Sequence, residues 1–331
     1  MRFFRPGRLV ILGLLLLAVV AALWAYPSGE YIFLPDVAHP VAPLVTVPHA
    51  DPPKGGAVYY VDVIVRKASL LERLFHGLHT GADVYPADVV NPPGVNDAKR
   101  QQLDLLDMRR SQSVAAAVAL RALGRKVGIV DTGALVTDVI PGEPAAGKIL
   151  PEDVITAIDG ARVRTTRQVF ETMTRHRIGD TVRFTVRRQT RTLVLALRTV
   201  ASTGPPRRPV VGIIIEQAAD IHLPIPVRID AGGVGGPSAG VAFALEVMEK
   251  LGRDVVHGHR IAATGELSVD GSVSAIGGVK QKVYGARAAH VDAFLVPAGD
   301  NAKEARKYAG GLRIIPVESF QQALAALAKL R

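Results

Sequence analysis

An α/β fold behind a membrane-spanning N-terminal helix is the architecture this chain predicts, on three observations. Leu9 to Tyr26 runs without a charge, a β-rich stretch from Val127 to Val200 carries strand and turn signals, and beyond Lys280 strand and helix patterns alternate. With 331 residues, 48% of them hydrophobic, the chain is long enough for two or three domains with their own cores. Cysteine is absent, which excludes thiol chemistry, disulfides and thiolate metal sites without fixing the compartment.

The N-terminal segment carries Arg2, Arg5 and Arg8 ahead of the uncharged run. At about 1.5 Å per residue that run reaches roughly 27 Å, close to the hydrocarbon core of a bilayer. It reads as a retained anchor over residues 1–26, meeting lipid through residues 9–26. The arginines then stay cytoplasmic, Trp24 and Tyr26 sit at the far interface, and all later domains lie outside a single-pass cell-membrane protein. Small residues at Ala22 and Ala25 fit a cleaved signal peptide, but bulky Trp24 and Tyr26 argue against one.

Residues 27–56 are rich in proline (Pro35, Pro40, Pro43, Pro48, Pro52 and Pro53) and read as an extended stalk. Residues 57–126 read as an α/β scaffold: a strand over Val58–Arg66, then helices over Leu70–Leu78 and Asp97–Leu123, separated by the turn Asn91-Pro92-Pro93-Gly94. After Lys280 come a strand over Ala293–Val296, a helix opened near Asp300-Asn301, a strand over Leu312–Val317 and a last helix from Ser319.

The formal net charge is +10, and its placement is uneven. Ten arginines, from Arg162 to Arg198, face only Glu171 and Asp180 between Ala161 and Val200. Few aromatics interleave for stacking, so nucleic acid is set aside, while an anionic membrane or cell-wall polymer and a merely solvated face both stay open. Gly142–Ile149 comes one residue short of a phosphate-binding loop, but Ile149 stands where a magnesium-holding hydroxyl is needed and Glu143 would face phosphate, so it is rejected. His257-Gly258-His259 on a strand would present two imidazoles on one face, but no third ligand stands out and no metal is expected.

The stretch that carries chemistry is Gly232-Gly233-Val234-Gly235-Gly236-Pro237-Ser238-Ala239-Gly240. A hydroxyl among glycines at a helix start is exposed and approachable, and free amides there can face a developing oxyanion. Pro237 has no N–H, so the Ser238 and Ala239 amides are the expected donors. Val241, Leu245, Met248 and Gly252 follow helical spacing, with Glu246, Glu249 and Lys250 on the other side. No histidine stands in an obvious partner order for Ser238, and a lysine serves as base if its pKa is lowered by burial and nearby positive charge. Lys280, after Gly277-Gly278 at a helix start, fits; Lys282, two positions on, would face the opposite side.

Gly236-Pro237-Ser238-Ala239-Gly240, then Thr264-Gly265-Glu266-Leu267, then Ile276-Gly277-Gly278-Val279-Lys280-Gln281-Lys282 resemble, in order and spacing, the proteolytic domain of Lon-type serine proteases. The resemblance runs from about Val210 to Arg331, within a domain set at residues 201–331, and implies a Ser-Lys dyad: Ser238 as nucleophile, Lys280 as general base, Thr264 as support to the lysine. Val136–Ala146 and Ile149–Gly160, followed by a helix over Thr166–His176 and a hairpin over Thr181–Arg187 and Thr192–Arg198, resemble a PDZ domain over residues 127–200. PDZ domains take peptides as an added strand, though the loop that captures a chain end is unclear around Gly124, Val127 and Gly128.

Together these resemble membrane-tethered Lon-like proteases and imply an ATP-independent serine endopeptidase without a cofactor, acting on flexible exported proteins or peptides that the PDZ domain presents or gates. Lon domains of this kind form rings, which leaves a homo-oligomer open. Two other readings stay: a non-catalytic tethered peptide-binding protein, and an α/β-hydrolase, since Gly236–Gly240 also satisfies G-x-S-x-G with Asp270 and His290 downstream.

Overall fold

The computed structural model describes residues 6–50, 55–75, 77–91 and 95–330. The chain divides into two compact units, one made of Met1–Gly124 with Ile225–Arg331 and the other of Arg125–Pro224. The first unit is therefore discontinuous in sequence.

The first unit is built on a five-stranded sheet ordered His39–Pro40, Ala57–Tyr60, Arg260–Ala263, Ala293–Pro297 and Arg313–Val317. The last four run parallel, and only the short edge strand His39–Pro40 is antiparallel. Helices Val279–Ala288 and Asp300–Tyr308 supply the crossovers that parallel strands require. Ala293–Pro297 is buried along its whole length, the continuous apolar pattern of a strand covered on both faces. Its residues Phe294 and Val296 pack with Val279, Val283 and Ala286 of one helix and Ala302 and Ala305 of the other.

Helix Gly240–Lys250 departs from the amphipathic pattern expected of it. Every residue from Gly240 to Met248 is buried, Glu246 included, because the long helix Asp97–Ala122 packs along it and the strand Ala57–Tyr60 lies against another side. Burial pushes the Glu246 carboxyl up to about 7, with Lys250 opposing and Glu249 adding to the shift. The small residues Ala115, Ala116, Ala117 and Ala119 are buried on Asp97–Ala122, allowing the two helices close approach.

The expected transmembrane helix is corrected. Pro6–Ala25 is a helix, but no helix among the described residues is long and apolar enough to cross a membrane. The uncharged run is not helical to its end: Ala25 is the last helical residue and Pro27 opens a strand. The single-pass placement built on that helix falls with it. The proline-rich segment, expected as a stalk, contributes strand Pro27–Pro35, central in a three-stranded antiparallel sheet between Val63–Ser69 and Asp83–Pro86. Its prolines stand at the two ends, where they cost the ladder little, and Tyr31 and Ile32 are buried between.

In the second unit, strands run in the order Arg191–Arg198, Thr181–Arg188, Val154–Ile158, Gly128–Val139 and Ile213–His222, with helix Thr166–Met173 beside them. Phe184, Ile149, Ile155, Ile158 and Leu197 are the largest fully buried side chains of its core. Thr165 and Gln168 close both ends of a capping box on the helix. Ile213–His222 lies beyond the span expected for this domain, yet it pairs with Gly128–Val139 from end to end. The arginines divide by strand parity: Arg183 and Arg187 point outward between buried Val182, Phe184 and Val186. Arg188 instead forms a paired contact with the buried Asp153, Nε to Oδ1 and Nη2 to Oδ2, both at 2.7 Å.

Candidate active site

Three segments of the first unit meet at Ser238. The glycine loop delivers it just ahead of helix Gly240–Lys250, strand Arg260–Ala263 delivers Thr264 one residue past its end, and helix Val279–Ala288 delivers a lysine. The loop is pinned from both sides. The Gly236 amide donates to the Asp104 carbonyl at 2.8 Å, and Ser111 Oγ donates to the Pro237 carbonyl at 3.0 Å. The Ser238 carbonyl accepts from the Gly265 amide at 2.8 Å and from Thr264 Oγ1 at 3.1 Å.

The lysine is Lys282. Its Nζ lies 2.6 Å from Ser238 Oγ and 3.1 Å from Thr264 Oγ1. Lys282 is 3% exposed and Thr264 0%. Burial brings the Lys282 amine down to about 7, against the opposing charge of Asp62, so much of it is neutral at neutral pH. An unprotonated amine that close to a hydroxyl has the lone pair a general base needs.

Lys280, expected as the base, is elsewhere. Its Nζ lies 2.8 Å from Asp83 Oδ1, donates to the Ala82 carbonyl at 3.1 Å and sits 5.5 Å from the centroid of the Tyr308 ring. Burial works to lower its pKa, but the hydrogen bond and charge of Asp83 outweigh it and hold the amine above its usual range. It stays protonated.

The reason is helix phase. Gly278 caps the helix in the left-handed region, with φ 67°, and the residues that follow at i, i+3, i+4 and i+7 are Val279, Lys282, Val283 and Ala286. All four are buried. Lys282 thus occupies a core position of an apolar stripe, while Lys280 falls on the flank with Tyr284 and Arg287. That stripe was readable in the sequence and marks which of the two lysines turns inward.

The amides of Ser238 and Ala239 donate to no other described residue and stand at the opening of helix Gly240–Lys250. Among the described residues no histidine hydrogen-bonds Ser238, and no strand leads directly into it, so the hydrolase elbow is not formed. The expected His257–His259 pair does not form on a strand, because His257 sits at φ 50° in a turn beside Asp254, and His259 Nε2 meets the Leu330 carbonyl at 2.7 Å. Asp36, His39 and Asp62 bring potential ligand atoms within 4.8 Å of one another. His39 Nε2 is already 3.3 Å from Asp36 Oδ2 there.

Ser238 and Lys282 open into a cavity of 770 Å³, whose walls include Phe33, Asp62, Val63, Asp104, Glu266 and Ile276. Of the wall carboxylates, only Glu266 belongs to a block that the sequence marks. Asp62 and Asp104 precede Ser238 by more than a hundred residues, and no motif marks them.

Residues 211–329 match the model of the Lon protease (S16) C-terminal proteolytic domain. Residues 117–199 match that of the PDZ domain. Lon protease 1 of Sorangium cellulosum is 37% identical over 123 residues, 35% of this chain and 14% of that protein. Lon protease 2 of Bacillus subtilis is 33% identical over 105 residues, 32% of this chain and 18% of that protein. Lon protease 2 of Thermus thermophilus is 42% identical over 90 residues, 26% of this chain and 11% of that protein. The matched region thus spans less than a fifth of each of these relatives. This chain carries a Lon-type C-terminal proteolytic domain and a PDZ domain.

Proposed function

We propose that the protein is a serine endopeptidase in which Ser238 attacks the scissile carbonyl and Lys282, not Lys280, is the general base. The contact that carries this reading is the 2.6 Å approach of a fully buried amine to Ser238 Oγ. The neutral amine accepts the hydroxyl proton as Ser238 attacks, then returns it to the leaving amine as the acyl-enzyme forms. It repeats the transfer with a water that releases the acyl group. Thr264 is a positioning residue: its hydroxyl donates to the Ser238 carbonyl and accepts from Lys282, which leaves the amine's lone pair toward Ser238. The Ser238 and Ala239 amides receive the oxyanion.

The substrates are peptides and already flexible protein segments, and the PDZ domain binds peptide chains that it presents to the peptidase or uses to gate it. Hydrolysis proceeds without nucleotide. Purified protein should cleave unfolded casein and short fluorogenic peptides in the absence of ATP, and Ser238→Ala and Lys282→Ala should not, while Lys280→Ala retains activity. Equal turnover by wild type and Ser238→Ala would end the assignment.

A further inference from the structure

The cavity beside Ser238 holds an acid that the hydrolytic steps do not use. Asp104 lies on helix Asp97–Ala122, and its backbone carbonyl accepts from the Gly236 amide, two residues before the nucleophile. Its side chain presses on the same loop: a Cβ added at Gly235 would come within 2.6 Å of Asp104 Cβ. The acid is thus fixed to the nucleophile loop, on the cavity wall.

Its carboxylate lacks a partner. No hydrogen bond or ion pair from another described residue reaches it. Arg100, one turn away, is drawn off: it donates to Asn91 Oδ1 at 3.0 Å, lies 3.8 Å from Asp97 and rests 5.0 Å over the Tyr31 ring. Half-buried, the Asp104 carboxyl is pushed up by desolvation, with Arg100 only partly opposing. Open to the cavity and without a protein cation on it, this carboxylate is free to pair with a cationic group of a bound substrate.

The rest of the cavity fits a long cationic side chain. Phe33, Val63 and Ile276 give apolar wall for a methylene stem. A purely apolar side chain entering there would cover the Asp104 carboxylate without pairing it.

We propose that Asp104 selects substrates with an arginine or lysine flanking the scissile bond. The inference rests on the peptidase reading of Ser238 and Lys282 and names the substrate class of that site.

The test uses the full chain and one fluorogenic peptide series, in which the residue on each side of the scissile bond is in turn arginine, citrulline, leucine or glutamate. Citrulline keeps the shape of arginine and removes its charge. At one of the two positions kcat/KM for arginine should exceed that for citrulline by about tenfold or more, the worth of a charge-assisted hydrogen bond. Asp104→Asn should bring that ratio close to one, and Asp104→Lys should turn the preference toward glutamate.

Equal kcat/KM for arginine and citrulline at both positions overturns the inference, and continued cleavage of the leucine peptide then leaves the peptidase reading standing. A ratio that Asp104→Asn does not change also overturns it. Should Asp104→Asn fail to fold, the wild-type arginine-to-citrulline ratio still decides. Failure of the wild type to cleave any peptide faster than Ser238→Ala removes the peptidase reading and the inference with it.

Discussion

Replacing Lys282 by methionine should remove hydrolysis and, below pH 7, make the protein more stable. Burial lowers this amine from 10.5 to about 7, whereas in the unfolded chain it titrates at its ordinary value. Between those two pH values the unfolded state holds a proton that the folded state does not, so stability rises with pH across that window. Below about pH 7 the whole penalty is present, about 5 kcal/mol at 1.36 kcal/mol per unit. Methionine fills nearly the same space without the charge, but it gives up the contacts to Ser238 Oγ and Thr264 Oγ1, roughly 1 kcal/mol each. A net gain of roughly 3 kcal/mol at pH 6 should therefore shrink and change sign by pH 10. Trp24, the single tryptophan, belongs to the same unit, with its ring 6.2 Å from His79, so urea unfolding followed by its fluorescence reads the right transition. A Lys282→Met protein that is less stable than wild type by the same amount at pH 6 and pH 10 would show that the lysine is charged in the folded state, and the general-base role would go with it.

The same titration sets activity: kcat/KM should climb about tenfold per pH unit up to about pH 7 and level off above, and a profile flat from pH 5 to 8 would contradict a neutral Lys282 as base. Thr264→Val, which removes the hydroxyl between Ser238 and Lys282, should lower kcat by about tenfold with little change in KM; a change confined to KM would deny it a positioning role. The Arg66 hydrogen bond is the main reason the buried Glu72 carboxyl is held down at about 2, against its ordinary 4.5. Its contribution of about 3 kcal/mol is complete above about pH 4.5 and lost as pH falls through about 2, so Arg66→Met should move acid unfolding to higher pH, as followed by circular dichroism. In the other unit, Arg188→Met leaves the Asp153 carboxylate buried with only the Leu150 amide for company and should cost that unit about 3 kcal/mol, measurable by calorimetry.

Much of this architecture can be read from residue pattern, because local signals suffice for it. The strands Ala293–Pro297 and Arg313–Val317 and the helices around them have unambiguous runs and caps, and the Gly-Pro-Ser-Ala-Gly, Thr-Gly-Glu and Gly-Gly-Val-Lys-Gln-Lys blocks converge within hydrogen-bonding distance. Between Lys280 and Lys282, the buried stripe through Val279, Val283 and Ala286 decides which lysine turns inward, and proximity to the helix start does not. Burial, not the dipole, is what lowers an amine here. The uncharged run Leu9–Tyr26 is a different case: its hydropathy is a matter of composition, and no helix among the described residues is long and apolar enough to cross a membrane. Asp104 and the Ser111 support were out of reach for another reason. They lie on Asp97–Ala122, and their neighbours on the glycine loop are set by long-range packing that no local pattern encodes.

The split of the first unit around Arg125–Pro224 bears on how the chain assembles during synthesis. Ser111 and Asp104 leave the ribosome well before the loop they brace, and the inserted unit must be synthesised in between. Until helix Val279–Ala288 has emerged, Ser238 lacks its contact with Lys282. A fragment started at Ile225 would lack the braces from Asp104 and Ser111 that hold the Ser238 loop.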